Sequence, residues 1–181
     1  GNFGQLINES NSNNSPLVMI AGGVGIAPMI SLLKQMIATQ HTVERAIHLI
    51  YGNRIESQII DLSTMVNLKA FKNLTITHVI SEPTSDWKGL LGVLDQVTLK
   101  KALEKTNSFN SSTKYLVCGA AEMIDGVEYA LEALSVDISQ IDSEKFQYDF
   151  TQKTARIRNS LIGWTLGTMA LIASAIYFSQ T

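Results

Sequence analysis

The sequence predicts an α/β fold, with a mainly parallel open sheet and helices on both of its faces. Short apolar runs alternate with helix-period segments through the middle of the chain, the pattern of βαβ units. Right-handed crossovers then place helices above and below the sheet. Glycine-bearing turns fall at three predicted strand ends, where open parallel sheets bind their ligands.

The elements follow in order. After Pro16, Leu17-Val18-Met19-Ile20-Ala21 is a continuous apolar run, as suits a strand buried on both faces. Gly22-Gly23-Val24-Gly25 ends it. Ala27 to Thr39 then carries Ile30, Leu33, Met36 and Ile37 at helical spacing. Pro28 fits a first turn, whose amides have no intrahelical partner. Arg45 to Tyr51 reads as a strand and Ile55 to Leu68 as a helix. Leu74 to Ile80 alternates apolar and polar residues, as a strand does. Asp95 to Glu104 reads as a helix capped by Asp95. Lys114 to Cys118 is a strand, Ala121 to Leu134 a helix, and Lys145 to Tyr148 a last short strand. No sequence repeat of fixed period is present.

Composition bounds the function. The 181 residues suffice for one ordinary domain with a little left over. Lys and Arg number 14 against 16 Asp and Glu, a formal charge of -2, which argues against a nucleic-acid binder. A single cysteine excludes an internal disulfide framework and paired-cysteine zinc motifs. His41, His48 and His78 lie too far apart for a compact metal signature.

Charged residues are 17% of the chain and the mean hydropathy is +0.12, high for a soluble domain. The excess sits at the end. From Asn159 to Thr181 there is no charged residue, and Leu161 to Phe178 is dominated by apolar side chains. A helix needs about 20 such residues to cross a bilayer. Trp164 and Tyr177 lie near the two ends of the segment, and Lys153, Arg156 and Arg158 precede it. The positive-inside tendency then places the preceding domain in the cytoplasm. Gly163, Gly167, Ala170 and Ser174 form a small-residue stripe along the same segment. The expected division is a linker over 1–15, a nucleotide-binding domain over 16–150, a basic juxtamembrane segment over 151–159 and a transmembrane helix over 160–179. The chain starts on Gly1 without a signal-like segment, and residues 8–15 are a polar, turn-prone run. Further sequence upstream is therefore expected.

Gly22 to Gly25, Gly52-Asn53 and Gly119 are the three turns. Glycine there permits positive φ and close backbone approach, and the helix after Gly25 offers its positive end to a phosphate. In Gly23-Val24-Gly25-Ile26-Ala27-Pro28, proline stands where the GxGxxG fingerprint has its third glycine. Glu44 precedes the second strand rather than ending it. No Gly-Lys-[Ser/Thr] is present, which excludes a phosphate-loop NTPase. No Tyr-x-x-x-Lys is present for the proton-transfer pair of a short-chain dehydrogenase.

The residues match another pattern. Gly22-Gly23-Val24-Gly25-Ile26-Ala27-Pro28 resembles the GG-x-GI-x-P signature of the ferredoxin–NADP reductase family. Tyr51-Gly52-Asn53-Arg54 resembles that family's second-strand turn. Cys118-Gly119 with Met123 resembles its C-G-P-x-x-M segment, and Glu144-x-Phe146 its closing E-x-F. Gly1-Asn2-Phe3-Gly4 resembles the turn that ends the family's flavin barrel, with Asn2 in place of Pro. Ala120 likewise replaces a proline, and the chain runs on past Phe146. The resemblance spans residues 1 to 148 and implies a three-layer, five-stranded parallel sheet of order 3-2-1-4-5.

By this resemblance, Gly22, Gly23, Val24, Gly25 and Pro28 hold the pyrophosphate side of NADH or NADPH. Tyr51, Gly52, Asn53 and Arg54 lie by the adenosine half. Cys118, with Gly119 and Met123 near it, sits by the carbon that gives up hydride, and Glu144 and Phe146 lie near FAD. The FAD is held mainly by an upstream domain. Cys118, Glu144 and Phe146 are the candidate catalytic residues. No side chain need act as a general acid in hydride transfer, so Glu122 and Asp125 read as an exposed helix start.

Two functions follow from these readings. One is the nucleotide-binding half of a membrane-anchored flavin reductase, passing electrons to a haem, iron–sulfur or ferric partner. The other is a non-catalytic, membrane-tethered nucleotide-binding or regulatory module.

Overall fold

A computed structural model describes residues 15–40, 43–104, 106 and 111–146. The strands are β1 (Leu17–Gly22), β2 (Ile47–Asn53), β3 (Leu74–Ile80), β4 (Leu90–Leu91), β5 (Lys114–Ala120) and β6 (Ile141–Phe146). The helices are α1 (Ile26–Gln40), α2 (Gln96–Glu104) and α3 (Ala121–Ala133). All six strands join one parallel sheet of order β4-β3-β2-β1-β5-β6. The expected five-strand order lies inside it. The sixth strand is the two-residue β4 on the outer edge, too short to show as a hydrophobic run.

The central strand shows why the sheet has two covered faces. Leu17, Met19 and Ala21 join one buried cluster with Leu33 of α1, Leu49 and Tyr51 of β2, and Cys118 of β5. Val18 and Ile20 join the opposite cluster with Leu99 of α2, Ile124 and Val127 of α3, and Val117. Alternate side chains point to opposite faces of a strand, so a continuous apolar run serves both layers. Burying one such side chain stabilises the fold by about 2 kcal/mol.

His48 is the polar exception on β2. It is buried, its Nε2 lies 2.9 Å from the Thr77 hydroxyl and its Nδ1 lies 2.9 Å from that of Thr106. Asp95 caps α2 as expected, its carboxylate accepting the Thr98 N–H at 2.8 Å. The hydrogen bonds hold that carboxyl below its ordinary range.

Two expectations are corrected. Residues 55–68 do not form a helix. They form separate 3-10 turns at Glu56–Gln58 and Leu62–Thr64, followed by a third at Leu68–Ala70. Asp61 accepts the Ser63 amide at 2.9 Å and starts a new turn, a local side-chain bond that competes with a continuous helix. The last strand begins at Ile141 rather than Lys145, because an edge strand tolerates polar residues such as Asp142, Ser143 and Glu144. Among the described residues, no helix is long and apolar enough to cross a membrane. All of the expected 1–15 linker except Ser15, and the juxtamembrane and transmembrane segments over 151–179, lie outside the described residues, as does the strand extension to Tyr148.

Candidate functional site

Parallel pairing brings the three glycine turns to one edge of the sheet. Gly22 is in register with Gly52, and Ala21 with Cys118. Their neighbourhood is therefore a consequence of strand order, since β2 and β5 flank β1.

The first turn is built for close approach. Gly23–Gly25 makes a single 3-10 turn leading directly into α1. Gly23 has φ +52° and open space around it, so its demand is conformational. Gly25 has a different demand. A Cβ there would lie 2.1 Å from the Cys118 carbonyl oxygen and 2.9 Å from the Gly119 Cα. The turn is thus seated directly on the backbone of β5. Val24 stands 57% exposed at its tip, and Pro28 is partly buried in the first turn of α1. The Ile26 amide donates back to the Gly23 and Val24 carbonyls, so the glycine turn is itself the first turn of the helical run and carries its positive dipole end.

Met123 joins the first and last turns. A Cβ on Gly22 would meet the Met123 sulfur at 2.1 Å, and one on Gly119 would meet it at 2.8 Å. The thioether of Met123 therefore occupies space left by two missing side chains, and its flexible stem suits an irregular gap. Packing between the turns is its visible task.

Cys118 is fully buried, and its Sγ donates to the Glu144 main-chain oxygen at 3.2 Å. Burial pushes the thiol up to about 11, helped by the Glu144 carboxylate and opposed by the Gly119 amide. A neutral thiol there supplies no base. Glu144 faces Cys118 across the β5–β6 ladder, and Phe146 closes β6 in register with Ala120. Asp125 accepts a hydrogen bond from Lys145 at 2.6 Å on the exposed surface.

On the other side, Tyr51 is buried with its ring 5.9 Å from that of His78, tilted at 57°. It is a core residue and presents no face to solvent. Gly52 is close-packed, since a Cβ there would meet Leu94 at 2.9 Å. The Asn53 side-chain amide nitrogen is buried without a hydrogen-bond partner, as is His78 Nδ1. Buried donors ordinarily find partners, so the Asn53 amide is a spare donor at the carboxyl end of β2. Arg54 is exposed, with its Nε 3.7 Å from Glu82 Oε2. Sequence reasoning missed Glu82 and Leu94. Both become neighbours of the β2 turn only through the register of β3 and the loop beyond it. An open groove lined by His48, Lys72, Asn73, Thr75 and Thr106 lies at the opposite, amino-terminal edge of the strands. Among the described residues no cluster of His, Cys, Asp and Glu could hold a metal.

Glycine turns, a helix start and an unpaired donor at one carboxyl edge fit a nucleotide's phosphates. The sequence model of the oxidoreductase NAD-binding domain matches residues 19–129, more than half of the chain. The chain belongs to this family. An NADH-cytochrome b5 reductase-like protein of Emericella nidulans is 31% identical over 124 residues, which are 67% of this chain and 25% of that protein. The anthranilate 1,2-dioxygenase electron transfer component of Acinetobacter baylyi is 29% identical over 140 residues, 77% of this chain and 39% of that one. Among solved structures, the cytochrome b5 reductase domain of Ulva prolifera nitrate reductase shares the fold. Its TM-score is 0.60 at 23% identity, over 72% of this chain and 50% of that one. The chain thus spans half or less of the length of these relatives. The family drawn from the motifs is that of the matched residues 19–129, and family members bind NAD(P)H and FAD.

Proposed function

We propose that this NAD-binding domain is the nucleotide half of a membrane-anchored flavin reductase. In this reading NAD(P)H passes hydride to FAD, and electrons continue to a haem, iron–sulfur or ferric partner. The observation that carries the reading is the seating of Gly25 on the Cys118 carbonyl. It ties a phosphate-binding turn to the strand end assigned to the nicotinamide. Bound nicotinamide and flavin supply the redox chemistry. The protein's residues bind, orient and exclude water.

Each residue has a task in this reading. The Gly22–Gly25 turn and the start of α1 hold the pyrophosphate. Asn53 donates toward the adenosine half. Cys118 and Gly119 give a dry, uncharged wall beside the nicotinamide. Glu144 and Phe146, at the end of the edge strand β6, are positioned for the flavin side. Relatives named for cytochrome b5 and for a dioxygenase support a redox-protein acceptor. The uncharged segment after Arg158 supports a C-terminal anchor with the domain on the cytoplasmic side.

The test uses the complete protein of the native gene with bound FAD. Anaerobic NADH or NADPH should bleach the yellow flavin absorbance, and the protein should stay with membranes through carbonate extraction. Protein that binds nucleotide but no FAD would instead be a regulatory module. Release by carbonate would remove the anchor.

A further inference from the structure

We infer that Arg45 is a positioning residue, which binds the Ser15 carbonyl and so fixes the angle at which the flavin half meets the nucleotide domain. The inference rests on the flavin-reductase reading above, in which the flavin half precedes Ser15 in the chain.

Hydrogen bonds from both neighbours of β1 grip the chain where it enters the sheet. The Arg45 Nε donates to the Ser15 carbonyl. The Pro16 carbonyl accepts the Lys114 amide at 3.0 Å, and the Leu17 amide donates to the Ala46 carbonyl at 2.9 Å. Pro16 has no amide hydrogen to give, and its ring fixes φ at about −65°. Ser15, Pro16 and Arg45 are all half-buried. A guanidinium donor makes a charge-assisted bond, and its planar fork loses little freedom in making it. The Arg45 bond is also the part of this grip that a substitution can remove while the main-chain bonds stay.

The grip lies at the edge of the sheet away from the nucleotide turns. β1 runs six residues from Leu17 to Gly22, which at about 3.3 Å each is about 20 Å. Arg45 is therefore out of reach of a phosphate held by Gly22 to Gly25, and its influence is angular. Over a lever of about 20 Å, a swing of about 3° moves a reacting group by about 1 Å, and a misplacement of that size can slow a reaction about 100-fold. Hydride transfer senses this angle because the two rings must meet. Nucleotide affinity belongs to the turns of this domain alone.

The test uses the complete protein of the native gene with bound FAD. Wild type is compared with Arg45→Met and Arg45→Gln. Their Cε and Nε2 atoms stand at the side-chain position of the arginine Nε, the first without a donor and the second with one. Thermal unfolding establishes that each is folded. Anaerobic stopped-flow bleaching of the flavin over a range of NADH or NADPH concentrations gives a limiting rate and a Kd. Arg45→Met should lower the limiting rate about tenfold and leave Kd within about twofold of wild type. Arg45→Gln should keep both near wild type. Hydrogen exchange over residues 15–18 should quicken in Arg45→Met and not in Arg45→Gln, with or without FAD. An unchanged limiting rate or unchanged exchange in folded Arg45→Met overturns the inference and leaves the reductase standing. Equal slowing in Arg45→Gln also overturns it. If Arg45→Met does not fold, Pro16→Gly loosens the same entry and carries the same predictions. Wild type that holds no FAD, or whose flavin neither nucleotide bleaches, overturns the reductase reading and the inference with it.

Discussion

Cys118 and Glu144 face each other across the parallel ladder of β5 and β6, and the cysteine thiol donates to the glutamate main-chain oxygen at 3.2 Å. The thiol is fully buried and held protonated up to about 11, against an ordinary 9.0. Reactivity belongs to the thiolate. Iodoacetamide at pH 8 should therefore label native Cys118 at least about 100 times more slowly than the denatured chain. The raised value also gives a pH signature. Its stabilising contribution is full below pH 9 and is lost as pH rises toward about 11. Chemical denaturation of Cys118→Ala should show a flatter alkaline limb than wild type. Equal labelling of folded and unfolded chain would contradict the burial.

Gly25 and Gly23 should respond differently to alanine. At Gly25 the new Cβ meets main-chain atoms of Cys118 and Gly119, which cannot step aside. Gly25→Ala should cost about 3 kcal/mol and lift the turn from β5, abolishing NADH binding. At Gly23 the space is open and only the positive φ resists. Gly23→Ala should cost about 1 kcal/mol. Urea denaturation with NADH titration of each variant measures both effects.

Met123 and Gly22 should be energetically coupled. A Cβ on Gly22 would overlap the thioether, which can move only by losing its packing. Gly22→Ala and Met123→Ala should each destabilise by about 1–3 kcal/mol. The double variant should fall short of their sum by about 1 kcal/mol. Strict additivity in a double-mutant cycle would show that the sulfur does not fill this gap.

His78 should make the domain acid-sensitive. Burial lowers its protonation range below the ordinary 6.5, and its Nδ1 is buried without a partner. The unfolded chain then takes up the proton more readily. The contribution is intact above about pH 6.5 and is lost as pH falls below it. His78→Gln should flatten the stability profile between pH 7 and 5, measured by urea midpoints. An unaltered acid limb would place the sensitivity elsewhere.

Much of this architecture was legible because parallel strands buried on both faces declare themselves. Leu17 to Ala21 reads as a strand without help from any other residue, and Asp95 marks the start of α2. Residues 55–68 were misleading. Their apolar spacing suits a helix, but Asp61 binds the Ser63 amide and breaks it into turns. At the site, the glycines were visible in sequence while their reasons were not. Gly25 is required by the Cys118 carbonyl and Gly22 by Met123, partners about 100 positions away. Arg54 was visible too, but Glu82 was not, because it becomes a neighbour only once β2 and β3 are in register.

The most direct test of the central claim is amide chemical-shift mapping of the isotope-labelled chain during titration with NADH. Saturable shifts are expected at the amides of Gly22 to Ile26, at Asn53 and Arg54, and at Cys118 and Gly119. Shifts confined to the opposite edge, around Lys72, Asn73 and Thr75, or no saturable shift at all, would contradict it.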